Sequence, residues 1–193
     1  MAGPESLERR LVLDSTVVFN EIMYNPVGPD DDLEWIELHN QLAVDMDISA
    51  WTLEGGVDFE FPANTILPGR GYLVVSANPE ALEAAAGISD VFGPFSGRLN
   101  NGGEELRLFN IDGRRLNVLD YRDNDSTDGD WPVEADGGGA SLAKADPLTN
   151  SIDAENWTFS ADVGGTPGVA NVVPVENIQL NELARHEKRP AGT

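Results

Sequence analysis

The 193-residue chain contains no cysteine, which excludes disulfides, thiolate metal centres and cysteine nucleophiles and leaves the redox compartment open. It is also poor in cations, with 12 Lys and Arg against 34 Asp and Glu and a formal net charge of −22. Between Leu11 and Gly69 there is no Lys or Arg at all, against twelve acids. Nucleic-acid affinity rests mainly on Lys and Arg neutralising phosphates, so this surface is expected to bind neither DNA nor RNA. Cations and basic partners suit it better. No run reaches the roughly 18 apolar residues of a membrane helix. Met1 to Thr16 is interrupted by Glu5, Glu8, Arg9 and Arg10 and lacks the continuous apolar stretch of a signal peptide. The chain reads as an excised piece with covalent neighbour domains, or as one whose cellular address lies elsewhere.

What the sequence has in quantity is sheet patterning. In Leu33-Glu34-Trp35-Ile36-Glu37-Leu38-His39-Asn40 the apolar pair Ile36 and Leu38 alternates with polar or amphipathic neighbours, which predicts a half-buried central strand. In that reading His39 faces solvent and Trp35 lies on the exposed sheet face, where its indole could hold a sugar ring or a partner peptide, unless the long C-terminal segment covers it. Thr16 to Tyr24 is a first strand, ended by Asn25-Pro26 and Gly28-Pro29. Further strands are predicted over Ile48 to Leu53, with Trp51 as a core anchor, over Val57 to Phe61, and over the apolar run Gly71 to Ala77. One short helix is marked by Asn78 as cap, Pro79 at its first position and Gly87 at its end. Glu105 to Phe109 and Leu116 to Tyr121 flank Asp112-Gly113, the strongest hairpin signal in the chain.

As an ordered set, these motifs resemble the lamin-tail domain in its bacterial form. The resemblance is carried by Asn20-Glu21-Ile22, Glu34-Trp35-Ile36-Glu37-Leu38 with Asn40, Asp47 to Leu53, Phe59-Glu60-Phe61-Pro62 and Gly71 to Val75. It continues in Trp131-Pro132, Ser141-Leu142, Asn156-Trp157 and Thr166-Pro167-Gly168-Val169-Ala170-Asn171. The resemblance implies an all-β, immunoglobulin-like β-sandwich with one short decorating helix and a long irregular C-terminal segment packed on it. Residues 1–16 are then a lead-in, 17–171 the domain and 172–193 a tail or linker. It also implies a non-catalytic accessory module of a larger extracellular or cell-surface bacterial protein, with a protein or glycan partner. No coiled-coil heptad precedes the domain, so filament assembly is not implied.

The densest oxygen-ligand cluster is Asp123-Asn124-Asp125-Ser126-Thr127-Asp128-Gly129-Asp130. Calcium takes about six to eight oxygens, which a loop of this composition can supply, so Asp123, Asp125, Asp128 and Asp130 are candidate calcium ligands. The helix-loop-helix calcium template does not fit, because Ala135 stands where it needs a bidentate Glu; the competing reading is a solvated acidic turn. A second patch, Asp30, Asp31, Asp32 and Glu34, is a poorer candidate, since consecutive acids point apart. Catalysis has little to draw on. His39 and His186 are the only histidines and neither sits in a triad motif, and Gly137-Gly138-Gly139 lacks the Lys of a phosphate-binding loop. The rival from another class is a metal-dependent hydrolase or nuclease fragment built on carboxylates.

Overall fold

The computed structural model describes residues 16–28, 30–123 and 131–174. In chain order the strands are β1 (Val17–Met23), β2 (Trp35–Asn40), β3 (Met46–Asp47), β4 (Thr52–Glu54), β5 (Val57–Glu60), β6 (Ile66–Leu67), β7 (Tyr72–Ser76), β8 (Ser96–Gly97), β9 (Gly103–Phe109), β10 (Arg115–Arg122), β11 (Leu142–Lys144) and β12 (Trp157–Phe159). Among the described residues two α-helices join them, α1 (Asp30–Leu33) before β2 and α2 (Pro79–Ala86) after β7. One antiparallel sheet has the order β12-β11-β1-β2-β7 and the other β10-β9-β4-β5-β8, while β3 and β6 pair separately. Between the sheets lies one apolar core, to which β1 contributes Val17, Phe19 and Ile22, β2 Ile36 and Leu38, and β9 Leu106 and Leu108. This is the packing of a β-sandwich, with alternate side chains of each strand turned inward.

The local signals resolve as the residue chemistry dictates. The Asn78 side chain accepts from the Ala81 N–H at 3.3 Å, Pro79 opens α2, and Gly87 closes it in the left-handed region at φ 69°. At the tip between β9 and β10, Asn110 Oδ1 accepts from the N–H groups of Asp112 and Arg114, and Gly113 takes φ 71°. The predicted Ile48 to Leu53 strand is broken by Ala50 at φ 57°, so only Thr52–Glu54 pairs in a sheet. The turn brings both Ile48 and Trp51 into the core instead of placing them on opposite faces.

Two expectations are corrected. The central strand is not half-buried, because every residue of β1 and β2 is shielded from solvent. The C-terminal segment is also less irregular than its sequence suggests, since β11 and β12 extend the first sheet beyond β1. Both corrections have one cause: sequence alternation reports one apolar face, whereas the other face is covered here by α2 and by chain that folds back from far along the sequence.

Trp51 belongs to the main core at 8 % exposure. Trp51→Ala is expected to cost about 3–5 kcal/mol in denaturant unfolding, and a loss below about 1 kcal/mol would contradict its anchoring role.

Candidate functional site

A β-bulge in β1 determines what the outer face of the first sheet carries. Phe19 pairs with Leu38 and Glu21 with Glu37, leaving Asn20 as the extra residue. A bulge inserts one residue and so reverses the alternation after it. Val17 and Phe19 point into the core before it and Ile22 and Tyr24 after it, which turns Glu21 and Met23 outward. The Phe19 N–H is taken by Asn117 Oδ1 of β10 at 3.1 Å, tying the two sheets together.

The outward carboxylates of Glu21 and Glu37 are both at 0 % exposure. They are covered by residues 161–172, a loop whose ends meet where the Ala161 N–H donates to the Val172 carbonyl at 2.7 Å. Such a closed surface loop is an Ω-loop. Glu21 accepts from the Ser141 hydroxyl, from the Thr166 N–H at 2.9 Å and from the Thr166 hydroxyl at 2.8 Å. Glu37 accepts from Asn20 Nδ2 at 2.7 Å and from the Gly168 N–H at 2.6 Å. Asn171 completes the closure: its Oδ1 accepts from Asn20 Nδ2, and its Nδ2 donates to the carbonyls of Asn20 and Lys144. Gly165 must be glycine here. It sits at φ 76°, and a Cβ would lie 2.7 Å from both Trp35 Cζ2 and Glu21 Oε1.

Burial raises the pKa of both carboxyls. For Glu37 burial is the largest cause and the neighbouring Glu21 charge adds to it, outweighing the hydrogen bonds from Asn20 and Gly168 and leaving the group well above the ordinary range. Glu21 is raised by burial against the opposing hydrogen bonds from Ser141 and Thr166. These donors saturate the carboxylates, so the pair functions as a clamp on the Ω-loop. The Asn20-Glu21 and Thr166 to Asn171 motifs were visible in the sequence, but their partnership spans 145 residues and no local pattern could connect them.

Beside the clamp lies an apolar groove of about 460 Å³ between α2, the outer sheet face and the Ω-loop, lined by Met23, Trp35, Leu82, Ala86, Val163 and Val169 among others. Trp35 is 1 % exposed and packs with Met23, Val74 and Leu82, which corrects its placement on an open sheet face. The covered alternative is what the structure shows, although the indole still lines the groove. His39 is likewise buried, stacked on Tyr72 with ring centroids 4.6 Å apart and with Nδ1 3.0 Å from the Gly71 carbonyl oxygen. Burial lowers its pKa, and with Tyr72 over its ring it is a packing residue rather than a solvent-facing one. Of the candidate calcium ligands, Asp123 is half-buried, whereas Asp125, Asp128 and Asp130 lie outside the described residues. Asp32 is exposed and accepts from Asn78 Nδ2 at 2.9 Å, and Glu34 accepts from the buried Leu99 N–H at 2.8 Å. Among the described residues no group of three or more His, Cys, Asp or Glu is arranged to hold a metal ion.

A family profile described as Lamin Tail Domain matches residues 14–123, more than half of the chain. No curated protein matches it. The matched region includes both clamp carboxylates, whereas the Ω-loop they hold lies beyond it.

A carboxyl with a raised folded-state pKa holds its proton more tightly in the folded chain than in the unfolded one. Its contribution to stability is then complete below the ordinary value of 4.5 and is lost as pH climbs through the folded value. Glu37→Gln is therefore expected to gain stability relative to the parent protein as pH rises from 5 to 8, measured by urea unfolding at each pH. A stability difference that does not change with pH would show that Glu37 is not the titrating group.

Proposed function

Because the chain belongs to the Lamin Tail Domain family, we propose that it is an interaction module of a larger bacterial extracellular or cell-envelope protein, binding a partner along the outer face of its first sheet. The family is one of non-catalytic immunoglobulin-like domains. The observation that carries the reading is the apolar groove beside the Ω-loop, whose rim residues Val27 and Val163 are 63 % and 77 % exposed. Contiguous exposed apolar surface next to a rigid sheet is the usual mark of a binding face. The extracellular setting is supported by the resemblance to bacterial lamin-tail domains. Among the described residues no helix is long and apolar enough to cross a membrane.

Calcium is proposed as a stabilising ion, on the strength of the acid density of residues 123–130. Asp123 directly follows β10, and a divalent ion would relieve the mutual repulsion of acids so close together in sequence. If Kd is near 0.1 mM, 10 mM calcium adds on the order of 2.7 kcal/mol, read as a melting temperature that rises more with calcium than with magnesium or with sodium chloride of equal ionic strength. An equal rise in all three salts, or a rise unchanged in the Asp125→Asn, Asp128→Asn double variant, would reduce the effect to screening.

The non-catalytic reading is tested by incubating the protein with duplex DNA, RNA and polysaccharide in the presence of calcium, magnesium or manganese. No turnover above buffer is expected, and no salt-sensitive nucleic-acid binding at physiological ionic strength. Metal-dependent cleavage would overturn the module in favour of a carboxylate hydrolase.

A further inference from the structure

The charge around the apolar groove is one-sided. The segments that bound it, residues 25–28, 32–33, 80–91, 132–141 and 160–169, carry seven Asp or Glu and no Lys, Arg or His. Asp32, Glu80, Glu134, Asp136 and Asp162 are exposed. The groove itself is lined by uncharged side chains, with Trp35 and Leu82 at its base and Ala85, Val163 and Val169 toward solvent. An apolar slot whose flanking segments carry acids and no cations selects a ligand with the complementary pattern, because apolar burial supplies affinity and opposite charge supplies steering and orientation. Like-charged flanks would be repelled from the same slot.

We infer that the groove between α2 and the Ω-loop docks a short peptide segment of a partner protein in which a few apolar residues are flanked on both sides by Lys or Arg. The inference rests on the interaction-module reading and specifies the chemistry of the partner. A glycan would leave the anionic rim without a role, and a second copy of this chain would bring a net charge of −22 against a surface of the same sign.

The test uses three fluorescein-labelled peptides titrated by anisotropy into the full chain. The first has a Leu-Val-Val-Leu core between paired lysines, the second the same core between paired glutamates, and the third the lysine flanks around a serine core. The lysine-flanked apolar peptide is expected to bind with Kd on the order of 10–100 μM, weakening several-fold between 50 and 300 mM salt. The other two should bind at least tenfold more weakly. Ala85→Trp fills the groove from an exposed helix position and should reduce binding at least tenfold without changing the melting temperature. Val163→Asp and Val163→Ser provide a second site at which folding is not at risk, and Val163→Ser should weaken binding while Val163→Asp should not abolish the salt dependence.

Equal binding of the serine-core peptide would reduce the effect to general attraction by an acidic surface and overturn the proposal. Equal, Ala85→Trp-sensitive binding of the glutamate-flanked peptide would overturn the cationic partner while leaving the groove as the interaction face. Absence of binding by all three at 1 mM, both to the full chain and after removal of residues 1–13, would overturn groove docking, whereas the interaction-module reading falls separately, on catalytic turnover. Binding that emerges only after removal of residues 1–13 would overturn a partner in trans, because the chain's own Leu7 and Leu11 with Arg9 and Arg10 would then be the occupant.

Discussion

Two uncompensated carboxylates buried on the outer face of a sheet are costly unless every oxygen is given a donor. Glu21 and Glu37 lie opposite each other on β1 and β2, and the Ω-loop supplies those donors from Thr166 and Gly168. The loop is thereby fixed to the sheet by buried hydrogen bonds, which are costly to leave unmade. The bulge at Asn20 is the condition for all of this. Without it, Glu21 would share the inward face of Phe19, and the core would hold a carboxylate where it now holds Ile22.

The clamp also explains how one sheet can be buried on both faces in a chain of this size. The inner face packs on the second sheet, while the outer face is divided between the clamp and a small apolar cluster of Met23, Trp35, Val74 and Leu82. Strands β11 and β12 deliver the chain to the Ω-loop and extend the sheet at the same time, so segments that lie beyond the matched family region complete the outer layer. The groove exists because α2 and the Ω-loop approach this face from two sides without meeting. Its walls are set by a capped helix and a clamped loop, which suits a preformed site that pays little ordering entropy on binding.

Buried Glu37 and buried His39 sit two residues apart on β2, and both are biased by burial towards their neutral forms. Neither is placed for proton transfer to a bound molecule. Glu37 is engaged by Asn20 and Gly168, and His39 by Gly71 and Tyr72. The polar chemistry of this face is spent on holding the loop, which leaves the acidic rim and the exposed valines as the parts free to meet another molecule.

The all-β sandwich, the capped helix and the hairpin were determined by local sequence. Asn78, Pro79 and Gly87 specify a helix within ten residues, and alternating apolar residues around Asp112-Gly113 specify a hairpin within twenty. The core identity of Ile36, Leu38 and Trp51 was legible for the same reason, since period-two patterning and large aromatic area are properties of short stretches. Tertiary structure alone decided that Trp35, Glu37 and His39 are buried, because alternation reports which side chains differ in polarity and cannot report what covers the polar side. For Glu37 that cover comes from residues 161–172, more than a hundred positions away, through a hydrogen bond donated by the Gly168 backbone N–H, a group common to almost every residue. The groove was unreadable for the same physical reason: it is a gap between elements, and its shape depends on where a bulge, a helix and a clamped loop come to rest.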